Sequence, residues 1–283
     1  MKFTTLISVA ELASQRADGW AVVDCRVGRE GASGPERYRA AHIAGAVHAH
    51  LEEDLSGPIV PGQTGRHPLP DPAEQAERLG RWGIDNGTQV VAYDDHDGSM
   101  AARLWWLLRW LGHSSVAVLD GGLAAWTAAG LPLRAGIEER QPRRFSPRPR
   151  PELIADAAEV LRRAADPAYA IIDARAHSRY LGQNETLDPV AGHIPGARSY
   201  PFADNLDAAG LFRPREELRA RFAPLVAHRP PEHVIAYCGS GVTAAHNILA
   251  MEHAGLADAR LYVGSWSEWI TDQSRPIERG EPG

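Results

Sequence analysis

Apolar positions in this chain fall into short unbroken runs, and polar stretches separate them. A β-branched run ends in Asp at 22–24, and another does so at 171–173. Further runs occupy 89–93 and 234–237, each followed by a helical pattern, over 99–111 and 242–254. A third pair of runs occupies 116–119 and 260–263. Short, fully apolar strands alternating with helices predict an α/β fold, with a parallel sheet covered on both faces. Ligands of such sheets bind beyond the carboxyl ends of the strands. Two polar loops stand at such ends, "YDDHDGS" at 93–99 and "YCGSGVT" at 237–243.

The pattern repeats. "AVVDCR" (21–26) is echoed by "AIIDAR" (170–175), "HIAGA" (42–46) by "HIPGA" (193–197), "VVAYD" (90–94) by "VIAYC" (234–238), and "GGLAAW" (121–126) by "GSWSEW" (264–269). Four matches in one order at offsets of 149, 151, 144 and 143 describe a tandem duplication. The period is too long for a solenoid. Residues 136–150 are rich in Pro and Arg, which denies them regular structure. The sequence therefore predicts a first domain over 1–135, an extended surface linker over 136–150 and a second domain over 151–283.

Composition narrows the classes. The 283 residues are 44% hydrophobic and 23% charged, as in globular proteins, and the formal net charge of −6 points to neither nucleic acid nor an anionic membrane as partner. No apolar run is long enough to span a bilayer, and the polar residues from Glu11 to Asp18 argue against a signal peptide. Two cysteines, Cys25 and Cys238, are too few for a disulfide framework and fit a reducing, cytoplasmic setting. The single lysine, Lys2, weighs against Schiff-base or P-loop chemistry. His42, His48, His50 and His67 match no metal-ligand spacing, so no metal is expected.

The chemistry concentrates in "YCGSGVT". A strand-to-helix loop turns backbone N–H groups inward and adds the positive end of a helix. A cysteine there is stabilised as thiolate and suits nucleophilic sulfur chemistry. Three readings compete. Gly239-x-Gly241-x-x-Ala244 matches a dinucleotide fingerprint, but it follows a late strand and no acidic residue closes the next one. A cysteine phosphatase needs an arginine six positions after the Cys, where Ala244 stands. Sulfur transfer is the third.

On these residues the whole chain resembles a two-domain rhodanese-type sulfurtransferase. "HIAGA" and "HIPGA" are similar to that family's first signature and "YVGSWSEW" to its second. The resemblance implies two rhodanese-like domains, each a five-stranded parallel sheet flanked by helices. The first is catalytically silent, because Asp94 takes the place of Cys238. It also implies that Cys238 receives a sulfane sulfur from a small anionic donor and passes it, as a persulfide, to cyanide, a thiol or a thioredoxin-like protein, with no cofactor. A non-enzymatic persulfide relay with little turnover is the alternative.

The neutral loop resembles the 3-mercaptopyruvate branch; the thiosulfate branch carries C-R-K-G-V-T. The resemblance to the 3-mercaptopyruvate branch implies that Ser240 relays a proton with His67 of "GRHPLP" and an acid, Glu52 or Asp54 of "HLEEDLSG". Gly239, Gly241, Val242 and Thr243 shape the cradle, with Thr243 capping the helix. Arg179 stands at the family's substrate-binding arginine. A second arginine of that branch is missing from "NETLDPVAGHIPGA", with Arg198 the nearest replacement. Thiosulfate therefore remains the competing donor. Asp24 and Asp173 are expected to bind loop backbone, Trp266 and Trp269 to pack the core, and Cys25 to act as a small buried hydrophobe.

Overall fold

The computed structural model describes residues 2–29, 31–95 and 97–281. The chain forms two units. The first comprises Met1–Gly57, Leu69–Arg150 and Ala208–Phe212, and the second Pro58–Pro68, Pro151–Asp207 and Arg213–Gly283.

In the first unit β1 (Leu6–Ile7), β2 (Ala21–Asp24), β4 (Ala46–His48), β5 (Val90–Tyr93) and β6 (Val116–Leu119) form one sheet in the order β1-β6-β5-β2-β4. All its pairings are parallel. β3 (His42–Ile43) pairs antiparallel with β7 (Leu133–Arg134) beside it. Helices α1 (Val9–Gln15), α2 (Gly34–Ala40), α3 (Pro72–Arg81), α4 (Ser99–Trp110) and α5 (Gly122–Ala128) flank the sheet. α1 and α2 start at Ser8 and Ser33, each with a reciprocal Ser–Glu cap that satisfies N–H groups otherwise left open.

The second unit repeats the plan. β8 (Ile154–Ala155), β9 (Ala170–Asp173), β10 (Arg198–Ser199), β11 (Val234–Tyr237) and β12 (Arg260–Tyr262) pair in parallel in the order β10-β9-β11-β12-β8. Read from the other edge, this is the order of the first sheet. Its helices are α6 (Ala157–Arg163), α7 (His177–Tyr180), α8 (Arg215–Val226), α9 (Thr243–His253) and α10 (Ser265–Trp269). β9 and β11 are buried throughout, which explains their unbroken apolar runs. Trp266 and Trp269 are fully buried in the core of this unit with Tyr180, Ile235 and Tyr262.

The two units are not contiguous stretches of chain. Segment 58–68 belongs to the second unit because its backbone lies flat on residues 264–267. A Cβ on Gly65 would sit 2.5 Å from the Gly264 carbonyl oxygen, and Arg66 N–H donates to Ser267 Oγ at 3.1 Å. Segment 208–212 joins the first unit, where Phe212 N–H donates to Asp120 Oδ1. Residues 136–150 lack regular structure and are part of the first unit. N–H groups of Arg143, Arg148 and Arg150 bond the carbonyls of Gly80, Leu111 and Trp110, and Phe145 is buried beneath them.

The repeated "HIxGA" motifs are structural in both copies. His42 stacks on Tyr38 at 4.2 Å and His193 on Tyr180 at 3.8 Å, each with Nδ1 2.8 Å from that tyrosine's carbonyl oxygen. Gly45 and Gly196 take φ of +72° and +76°, which only glycine adopts without strain.

Candidate active site

β11 is the central strand of its sheet, and the chain leaves its carboxyl end through Cys238. Residues 238–242 form a tight loop before α9. Gly241 reverses the backbone at φ +79°, and a Cβ there would meet the Val263 carbonyl oxygen at 2.4 Å. That turn aims the Gly241 N–H at Cys238 Sγ, 3.1 Å away. The sulfur therefore accepts a backbone hydrogen bond at the N-terminus of α9. Cys238 is 1% exposed.

The "YVGSWSEW" signature holds this loop from below. Ser265 takes φ +54°, unusual for a residue with a side chain, and its Oγ accepts the Cys238 N–H at 3.1 Å. The N–H groups of Trp266 and Ser267 donate to the carbonyls of Cys238 and Gly239, both at 2.9 Å. Three successive residues of α10 thus fix the backbone that carries the sulfur.

Segment 58–68 brings His67 to the loop. Its Nδ1 lies 2.8 Å from Ser240 Oγ, so hydroxyl and imidazole form a hydrogen-bonded pair within two residues of the cysteine. Glu52 and Asp54 belong to the first unit. There Glu52 pairs with His50 Nδ1 at 3.2 Å, and Asp54 accepts the His50 N–H and pairs with Arg78.

Thr243 departs from its expected role as a cap. The N-cap of α9 is Val242, in a right-handed helical conformation with no side-chain capping bond, and Thr243 is already helical. The loop dihedrals that serve the sulfur leave Thr243 one position past the place where a side chain caps.

Arginines surround the loop. Arg179 holds Glu185 through Nε and Nη2, at 2.9 and 2.8 Å, and its Nη2 also reaches Asp188 Oδ2 at 3.1 Å. Arg66 Nη1 bonds Asp188 Oδ1. Beneath them Arg175 forks onto Asp173 and donates to the Gly192 carbonyl. Burial works against the charge on Glu185, yet the Leu187 N–H, Arg179 and the Asp188 N–H together hold its carboxyl below the usual range. Burial dominates at Asp188 and raises its carboxyl despite Arg66 and Arg179. Asp173 and Asp24 play matching parts: each accepts the N–H of the arginine two positions on and binds its guanidinium.

Sequence reasoning missed Arg66, Asp188, Glu185 and Ser265. Arg66 is next to His67 in the "GRHPLP" that drew attention for its histidine. Ser265 lies inside a signature read as core. Arg198 opens edge strand β10 with an exposed side chain.

In the first unit Asp94 follows β5 as Cys238 follows β11. The Asp94 carboxylate accepts N–H bonds from Gly98, Met100 and Ala101 at 3.0 to 3.2 Å. A carboxylate thus accepts the backbone N–H groups at this strand end, where the second unit has Cys238.

The rhodanese-like domain matches this chain twice, over residues 8–129 and 156–272. A Pseudomonas aeruginosa protein named "Probable 3-mercaptopyruvate sulfurtransferase" is 49% identical over 99% of this chain and its own full length. A thiosulfate sulfurtransferase of Cricetulus griseus is 35% identical, covering 88% of this chain and 83% of that protein. The crystal structure of SseA from Escherichia coli, described as a 3-mercaptopyruvate enzyme, superposes with a TM-score of 0.81 at 32% identity, covering 94% of this chain and 100% of SseA. With two copies of the domain and a full-length match to such enzymes, this chain belongs to the rhodanese family and is a two-domain sulfurtransferase.

Proposed function

We propose that the protein takes sulfur from 3-mercaptopyruvate, carries it as a persulfide on Cys238 and delivers it to a thiophilic acceptor: cyanide, a small thiol or a thioredoxin-like protein. The observation that carries the donor choice is the Ser240–His67 hydrogen bond. Moving sulfur from a thiol requires moving its proton, whereas thiosulfate has no such proton to move.

The Cys238 thiolate attacks the donor sulfur. The S–C bond breaks and its electron pair goes to the methylene carbon. The thiol proton passes through Ser240 and His67 and ends on that carbon, which leaves as pyruvate. Glu52 or Asp54 is the acid of this relay. Cys238 is left as Cys–S–S⁻, a reversible adduct held by the loop N–H groups. An acceptor anion then takes the terminal sulfur, and the S–S electron pair returns to Cys238. Gly239, Gly241, Val242 and Thr243 shape the cradle, and Arg179 binds the donor's carboxylate. Two free cysteines, and no helix among the described residues long and apolar enough to cross a membrane, fit action in the reducing cytoplasm.

Side-by-side kcat/KM for 3-mercaptopyruvate and thiosulfate, with cyanide as acceptor, tests this reading. The expected result is a preference for mercaptopyruvate, a mass gain of one sulfur atom on Cys238, and neither activity nor adduct in Cys238→Ser. A thiosulfate preference overturns the donor. Turnover that survives Cys238→Ser overturns the mechanism.

A further inference from the structure

The donor reading leaves a carboxylate with one assigned arginine, Arg179. The geometry points to Arg66 as its second guanidinium, a specificity-determining residue supplied by segment 58–68.

Three observations converge. The first is position. A Cβ built on Gly239 would lie 2.9 Å from Arg66 Nη2, and 3.6 and 3.7 Å from the two terminal nitrogens of Arg179. Both guanidiniums therefore stand over the bare α-carbon next to the sulfur carrier. In 3-mercaptopyruvate the carboxyl carbon is three bonds from the sulfur, on the order of 4 Å, about the spacing of neighbouring α-carbons. A donor with its sulfur at Cys238 brings its carboxylate over Gly239.

The second is demonstrated competence. Asp188 already lies between the same two arginines, with Oδ1 on Arg66 and Oδ2 on Arg179. A carboxylate bridged by two guanidiniums is the recognition geometry that planar N–H forks favour. The third is rigidity. Arg66 does not sit on a loose loop: its N–H is bonded to Ser267 Oγ, Gly65 presses on Gly264, and its side chain is only 34% exposed. Asp188 and Glu185 balance the charges of Arg66 and Arg179. That leaves a neutral frame able to take a monoanion, and Gly239 leaves it the room.

This inference rests on the donor reading above, and the test separates the two. Wild-type, Arg66→Ala and Arg66→Lys proteins are assayed with 3-mercaptopyruvate and with mercaptoacetone, which keeps the thiol and ketone but lacks the carboxylate. Loss of a charge-assisted fork is expected to raise KM for mercaptopyruvate about 10- to 100-fold in Arg66→Ala. Arg66→Lys falls between, and mercaptoacetone kcat/KM stays at the wild-type value in both. His67 is the adjacent residue, so a displaced segment would depress both donors together. That result, or an unchanged KM for mercaptopyruvate, overturns the role of Arg66 and leaves the donor reading standing. A wild-type protein that prefers thiosulfate overturns both.

Discussion

The Ser240 hydroxyl and the His67 imidazole meet at 2.8 Å although 173 residues separate them in the chain. The contact exists because a short segment of the first half is pinned to α10 by Arg66 and Gly65. In the proposed mechanism this pair moves the donor's thiol proton. Ser240→Ala and His67→Ala are each expected to lower kcat with 3-mercaptopyruvate by about 100-fold or more. The double variant should lose little beyond either single one, since the two act as a unit. Thiosulfate turnover, which moves no thiol proton, should barely change. Steady-state kinetics with both donors decide the matter: equal losses on the two would remove the relay.

In the first unit the Asp94 carboxylate stands where the second has Cys238. It gathers three backbone N–H groups into a buried, already satisfied loop. Asp94→Ala strips those donors of their acceptor and should cost about 1–3 kcal/mol, read as a lower melting temperature. Sulfur transfer at Cys238 should remain at the wild-type rate. A variant that melts like the parent would show that the carboxylate only fills space.

Cys25 follows β2 and Cys238 follows β11, strands that are not counterparts, and the two thiols should react differently. Burial pushes the Cys25 thiol well above its ordinary range, and Asp24, Asp94 and Asp54 add to the shift. Burial disfavours the thiolate, so the folded protein holds this proton more tightly than the unfolded chain. The stabilising contribution is complete below the free thiol's pKa of about 8.5 and fades as pH rises towards the folded value. Alkylation with iodoacetamide at pH 8 should label Cys238 and spare Cys25, as peptide mass spectrometry would show. Cys238→Ser should then take no label until the protein is unfolded. Rapid labelling of Cys25 in the folded protein would contradict its raised thiol pKa.

The features legible in the sequence were those that local chemistry determines. Unbroken runs such as Val234–Tyr237 announce strands buried on both faces, and "YCGSGVT" announces a strand-to-helix cradle. The repeated order of motifs also foretold the repeated strand order. Contacts across long sequence distances left weaker marks. Arg66 looks like any surface arginine until its backbone is seen bonded to Ser267, 201 positions on. Asp188 reads as a loop residue beside a proline, and only the fold sets it between two guanidiniums. Thr243 failed as a cap because the loop geometry that serves the sulfur moved the helix start by one residue. The backbone bonds of segment 136–150 to Gly80, Trp110 and Leu111 have no sequence signature.

The two glycines of the loop should fail in different ways. At Gly241 a methyl group meets fixed backbone, the Val263 carbonyl oxygen at 2.4 Å, and the φ of +79° strains any other residue. Gly241→Ala should cost about 2 kcal/mol or more, or roughly 4–8 °C of melting temperature for a unit of this size. The N–H now bonded to Cys238 Sγ would move with it, and kcat should fall for every donor. At Gly239 the nearest atoms are the ends of the flexible Arg66 and Arg179 side chains, the closer one 2.9 Å away. They can swing aside, so Gly239→Ala should melt like the wild type. The displaced guanidiniums would no longer face the donor, and KM for 3-mercaptopyruvate should rise while kcat changes less. Melting curves and donor titrations on the two variants test this split directly. If Gly239→Ala lost as much stability as Gly241→Ala, or left KM unchanged, the arginines over Gly239 would have no part in holding the donor.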